Sequence, residues 1–192
     1  MKNELIAIVL LILASVFLIS IIDFYKKNIE FSDAKKFVTE ELKVKYPLAE
    51  IGIISVEEKN NNGTKYYEIK TRVTKNAATP CPERMHIYFN YPMQNFVSQP
   101  PEYVTKNCKV CLEKQNCPIL FAEEAIIASH TMPGTEAINE FIMDSVGAYP
   151  TVTENENSWV IQWDSQFTTY YYQVEISKSA TLGKVEKNSK GD

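Results

Sequence analysis

The chain has 192 residues, 45% apolar and 23% charged, which is material for one compact domain or two small ones with a true core. Its formal net charge of −4 and pI near 5.4 come without any cluster of Lys and Arg, so nucleic acid is not an expected partner. Its six glycines form no phosphate-cradling loop, and neither H-E-x-x-H nor G-x-S-x-G occurs.

The first element is "LIAIVLLILASVFLISII", residues 5–22, a run without a charge. A helix rises about 1.5 Å per residue, so the run covers roughly 27 Å, close to the hydrocarbon thickness of a bilayer. It is longer than the apolar part of a signal peptide, no A-x-A site follows, and no cysteine near its end offers a lipid attachment point. The expectation is an uncleaved single-span anchor, with residues 1–30 as anchor and juxtamembrane segment. Lys26 and Lys27 beyond the span, against Lys2 before it, would place the large part in the cytoplasm. The clustered, even-numbered cysteines and the "NGT" sequon at Asn62 point the other way. Residues 31–192 are therefore expected outside the cytoplasm, with Asn62 as a glycosylation acceptor.

Residues 31–92 read as a first α+β repeat. Over 31–47, Ser32 offers an N-cap, Ala34, Phe37, Val38 and Leu42 share a face, and Pro47 ends the helix. "EIGIISVEE" follows as a strand, then the tight-turn signal "NNNGT". In "TKYYEIKTRVT", Tyr67, Ile69, Thr71 and Val73 alternate with Tyr66, Glu68, Lys70 and Arg72, the period of a half-buried strand. "RMHIYFNYP" is a third strand, with Met85, Ile87, Phe89 and Tyr91 inward and His86 outward.

Residues 93–120 read as a cysteine-rich insertion with little regular structure. Cys108, Cys111 and Cys117 lie in it, and Cys81 just precedes the third strand. Structural disulfides would hold such a segment, with Cys81 tied to one of the other three; the pairing is open. A zinc ion on the four cysteines is a second reading, although only one C-x2-C knuckle is present. A redox-active Cys108-Lys109-Val110-Cys111 is a third.

Residues 121–192 read as a second α+β repeat. A helix over 134–150 would start at Thr135 and bury Ala137, Ile138, Phe141 and Ile142. "SWVIQWD", "TTYYYQVEIS" and "LGKVEK" follow as strands. Ser32-Asp33-Ala34 matches Thr135-Glu136-Ala137, and Tyr46-Pro47 matches Tyr149-Pro150, at an offset of 103. Tyr66-Tyr67-Glu68-Ile69 matches Tyr171-Tyr172-Gln173-Val174 at an offset of 105, and the order helix, strand, strand, strand recurs. Trp159, Trp163, Tyr170 and Tyr172 are core residues or, as the alternative, an aromatic binding surface. His130, like His86, is read as structural.

The stretch from Trp159 through Tyr172, Val174 and Ile176 to Gly183, Lys184 and Val185 resembles the end of a PepSY-type, cystatin-like module. The resemblance covers residues 133–187, with a fainter copy over 31–92; "SATLGK" stands where that family usually has an acidic residue and Thr before the closing Gly-Lys. It implies a helix packed on an antiparallel sheet, outside the membrane, without catalytic residues or cofactor, binding or restraining another envelope protein or peptidase. The expected fold class is accordingly α+β: a transmembrane helix, then two helix-on-sheet repeats around the insertion. The expected function is a membrane-anchored extracytoplasmic binding or scaffolding module that is not an enzyme. The competing classes are a thiol–disulfide protein using Cys108 and Cys111, and a structural subunit of a surface or secretion assembly.

Overall fold

A computed structural model describes residues 2–61, 63–92, 99–110 and 118–191, with side chains at 2–9, 11, 22–30 and 64 outside the description. The order is α1 (Lys2–Lys45), β1 (Glu50–Asn61), β2 (Thr64–Lys75), β3 (Glu83–Tyr91), β4 (Glu102–Tyr103), α2 (Ala122–Thr131), α3 (Glu136–Asp144), β5 (Tyr149–Glu154), β6 (Ser158–Asp164), β7 (Tyr170–Ser177) and β8 (Leu182–Ser189). The strands make two four-stranded sheets, β1-β2-β3-β4 and β5-β6-β7-β8, every neighbouring pair antiparallel. The chain is thus mixed α+β, with two such sheets.

In the first lobe the alternation of β2 does what its period requires. Tyr67, Ile69, Thr71 and Val73 are buried, and with Met85 and Ile87 of β3 they meet Ala34, Val38 and Leu42 of α1. Thr71 is tolerated in this apolar layer because its hydroxyl donates to the Ile87 carbonyl at 2.9 Å. Phe37, expected on the buried face, stays 42% exposed and instead sets its ring 5.5 Å from that of Tyr91.

The boundary drawn at residue 30 falls inside one continuous helix, α1. Towards its start, Leu10, Ile12, Leu13, Val16, Phe17, Leu18 and Ile19 are between 57% and 66% exposed. Among the described residues no helix is long and apolar enough to cross a membrane.

The second lobe packs α2 and α3 on β5–β8 around Ile138, Phe141, Trp159, Ile161, Trp163, Val174 and Ile176. It departs from the sequence reading in three ways. The helix expected over 134–150 ends at Asp144: the chain turns through Gly147 at a φ of +67°, a conformation that costs a side chain but not glycine. Tyr149-Pro150 then opens β5, an extra strand, and Pro150 fits there because β5 is an edge strand and needs no second set of N–H donors. As a result the offset-105 match joins unlike elements, Tyr67 lying on the second strand of its sheet and Tyr172 on the third of its own. The third departure is α2, a helix with Glu123 through His130 all buried, which carries no one-sided apolar stripe to announce it.

The insertion is also less separate than its composition implies. Its β4 pairs with the start of β3, at Met85 and His86. Ile119 is 1% exposed in the second core, where its carbonyl accepts the Trp159 indole N–H at 2.9 Å and its own N–H donates to Lys178 O.

Candidate functional site

Cys81 leads into β3, and the strand's other edge brings Cys108 back to it. Thr105 makes the return: its hydroxyl accepts from Arg84 N at 2.8 Å and donates to Pro82 O at 2.8 Å, while Val104 N bonds Arg84 O. The chain then turns at Lys106–Lys109, where each lysine's N–H bonds the other's carbonyl. Cys81 and Cys108 are disulfide-bonded across a Cα–Cα distance of 4.7 Å. The Cys108–Cys111 pair of the redox reading is therefore not the bond Cys108 makes. Cys111, Cys117 and the sequon residue Asn62 lie outside the described residues.

The last turn of α2 carries His130 to this bond. Its Nε2 lies 3.5 Å from Cys108 Sγ, and its Nδ1 lies 3.0 Å from the Ile126 carbonyl. Its ring stands edge-on to Trp163, centroids 5.6 Å apart. Trp163 is held in turn, its indole N–H donating to Ser129 Oγ at 2.8 Å. Burial pushes the imidazole below its usual range, with the Ile126 carbonyl acting weakly the other way. Cys81 Sγ, Cys108 Sγ and His130 Nε2 all lie within 4.8 Å of one another, the one group of three such ligand atoms among the described residues.

A second polar cluster covers the back of β3. Arg84 Nη1 donates to Glu123 Oε2 at 2.9 Å, and the Thr74 hydroxyl donates to Glu123 Oε1 at 2.7 Å. The Arg84 guanidinium lies 3.7 Å from the Phe121 ring centroid. Beside it His86, predicted outward, is 5% exposed; its Nε2 faces Arg84 Nε at 3.4 Å and its Nδ1 faces Glu102 Oε2 at 3.3 Å. With a donor at one ring nitrogen and a carboxylate at the other, the neutral Nδ1–H form satisfies both. These contacts join the first sheet to α2, so this cluster is a junction between lobes.

The aromatic quartet is divided. Trp159 and Trp163 are buried, each with its indole N–H satisfied inside, and belong to the core. Tyr170 and Tyr172 are half-buried, stacked edge-on with Phe141 beneath and Lys187 Nζ 3.7 Å above the Tyr170 ring. Sequence spacing missed His130, Arg84 and Glu123 as partners. His130 is 22 residues from Cys108 and Glu123 is 39 from Arg84, and neither pair forms a local motif.

No protein-family model matches the chain. No curated protein matches it either. A crystal structure of a Clostridium difficile 630 protein, described as a lipoprotein, aligns with 82% of this chain and 92% of that one at 12% identity, with a TM-score of 0.23. The resemblance to PepSY-type modules rests on the sequence motif.

The disulfide's mechanical role has a direct test. It closes a separation of 27 residues, worth about 3.5 kcal/mol in the chain-entropy account. Cys81→Ser is expected to lower stability by that order in denaturant unfolding and to expose one new thiol, at Cys108. A variant as stable as the parent would show that Thr105 and β4 hold the segment unaided.

Proposed function

We propose that residues 31–192 form an extracytoplasmic, non-catalytic binding or scaffolding module, tethered to a membrane through residues 5–22. The observation that carries this reading is the division of labour along α1. Its later turns bury Ala34, Val38 and Leu42 in the first core, whereas Leu10, Ile12, Leu13, Val16, Phe17, Leu18 and Ile19 on its early turns are each more than half exposed among the described residues. So many exposed apolar side chains on one helix call for an apolar surrounding, and a bilayer supplies it. Because the helix is unbroken, the tether enters the core directly and would hold the first lobe at a fixed height. The disulfide fits an oxidising compartment.

The reading is tested in cells carrying the full chain. The protein is expected to stay in the membrane after a high-pH carbonate wash. Protease added to intact cells is expected to remove residues 31–192. Deleting residues 5–22 is expected to release the protein without unfolding either lobe. Digestion only after lysis would reverse the orientation, and Lys26 and Lys27 would be the better guide. The partner on this reading is another envelope protein or peptide, as the PepSY-type resemblance implies. A subunit of a surface assembly, its apolar helix packed on other helices, differs in one measurable respect: crosslinkers placed at Phe17 or Leu18 would then capture protein and not lipid.

A further inference from the structure

We propose that the Cys81–Cys108 disulfide is one state of a redox-switched metal site: once it is reduced, Cys81 Sγ, Cys108 Sγ and His130 Nε2 bind a zinc ion, and ion and disulfide exclude each other. The ligand chemistry is right, since two thiolates and an imidazole make a soft set that suits Zn2+.

The distances are right as well. With Zn–S near 2.3 Å and Zn–N near 2.0–2.1 Å, the edges of a tetrahedral site are roughly 3.5–3.8 Å. Cys108 Sγ and His130 Nε2 already stand 3.5 Å apart. The two sulfurs must separate, and since all three atoms already lie within 4.8 Å of one another the change is on the scale of side-chain movement.

His130 is prepared for such a role. The Ile126 carbonyl can only accept, so the imidazole proton sits on Nδ1, and Nε2 presents its lone pair to the sulfurs. This is the arrangement that orients metal-bound histidines, in which the ring's other nitrogen donates to a carbonyl. Among the described residues that lone pair faces Cys108 Sγ, and a disulfide sulfur carries no proton to donate. A ring nitrogen on a side chain only 8% exposed is thus aimed at the Cys108 sulfur, 3.5 Å away.

The turn supplies an independent sign. Asn107 and Cys108 have φ of 53° and 56°, the pattern of a tight hairpin turn whose second central position normally falls to glycine. A side chain is disfavoured at that position, and the sulfur is what the position delivers.

The electron balance is that of thiol–disulfide exchange. A dithiol reductant gives two electrons and two protons, becomes a disulfide, and leaves Cys81 and Cys108 as thiols. Zinc then displaces both protons to solvent, and reoxidation expels the ion. Three protein ligands leave a fourth position for water or a further ligand.

The experiment uses the full chain in detergent, reduced with a phosphine, freed of reductant and titrated anaerobically with Co2+ and then Zn2+. The reduced protein is expected to take up one Co2+ at this site with a thiolate-to-cobalt charge-transfer band that Zn2+ abolishes; the oxidised protein is expected to show none. His130→Ala should weaken binding at least about tenfold, and His130→Cys should restore it. The double variant Cys111→Ser/Cys117→Ser should retain it. Binding unchanged in His130→Ala, or lost in the double variant, would overturn the site. A measurement on the unaltered protein stands beside these: Zn2+ should protect Cys81 and Cys108 from alkylation, read by mass spectrometry. If both are alkylated as fast with Zn2+ as without it, the proposal fails.

Discussion

Glu123→Ala is expected to destabilise the folded chain by about 3–5 kcal/mol, because it strands a buried guanidinium. The side chains of Arg84 and Glu123 are 8% and 9% exposed, and the carboxylate occupies both oxygens, one with Arg84 and one with Thr74. Glu123 also sits in the first turn of α2, where the helix's positive end favours a negative charge. Replacing both partners with apolar residues, as Arg84→Met/Glu123→Leu, is expected to return much of the loss, since the pair itself adds little once its desolvation is counted. Denaturant unfolding of the three variants checks both statements. A single variant within about 0.5 kcal/mol of the parent would show that the pair does not hold the lobes.

The same cluster gives the stability its pH dependence. Burial pushes the Glu123 carboxyl up, but the Thr74 hydroxyl, the helix backbone and Arg84 together outweigh burial and hold it below its ordinary value of 4.5. Its folded pKa is the lower one, so its stabilisation is complete above about 4.5 and is lost as pH falls through the folded value. Its neighbour Glu124 works with the opposite sign, burial raising its carboxyl against bonds from Leu120 and Phe121, and blunts that loss. His86 adds an earlier step. Burial, then Lys70, hold its imidazole below the ordinary value of 6.5 in the folded chain, so the unfolded chain binds more protons there and stability starts to fall as pH drops below about 6.5. Melting temperature followed against pH should therefore fall in two stages, the more acidic one reduced in Glu123→Ala.

What the sequence made legible was short-range. The period of β2 placed four consecutive inward residues correctly, because a one-residue slip would have turned Ile69 and Val73 to solvent. The face of α1 was read from Ala34, Val38 and Leu42 on the same ground. Where burial has no direction the signal disappears: α2 is covered on every side and offers no stripe, and β4 has two residues and no period. Tyr149-Pro150 misled because a helix end and an edge strand both accept proline. Pairings across the chain were illegible for a different reason. Nothing in the spacing of Cys81, Cys108 and His130, or of Arg84 and Glu123, states that β3 and α2 come together; that follows from how both lobes pack, and only then do the side chains meet.

Trp163→Ala carries the other large expected effect, again about 3–5 kcal/mol, by a different route. Trp163 is fully buried on β6, between Pro150 of β5 and Tyr172 of β7, so neither neighbouring strand can easily close the space left behind. Its indole N–H also satisfies Ser129 Oγ, and its ring backs His130. For a chain of this size such a loss lowers the melting temperature by roughly 6–20 °C. Trp163→Phe keeps most of the ring and gives up one hydrogen bond, so it should cost about 1–2 kcal/mol. The informative readout is residue-level hydrogen exchange, because the two cores share no buried residue. Amides at Ile161 and Val174 are expected to lose protection in Trp163→Ala while those at Ile69 and Val73 keep theirs. Loss in both sets together would mean that the lobes unfold as one unit, and the Arg84–Glu123 junction would then be the coupling, which the same measurement on Glu123→Ala decides: there the two sets should part.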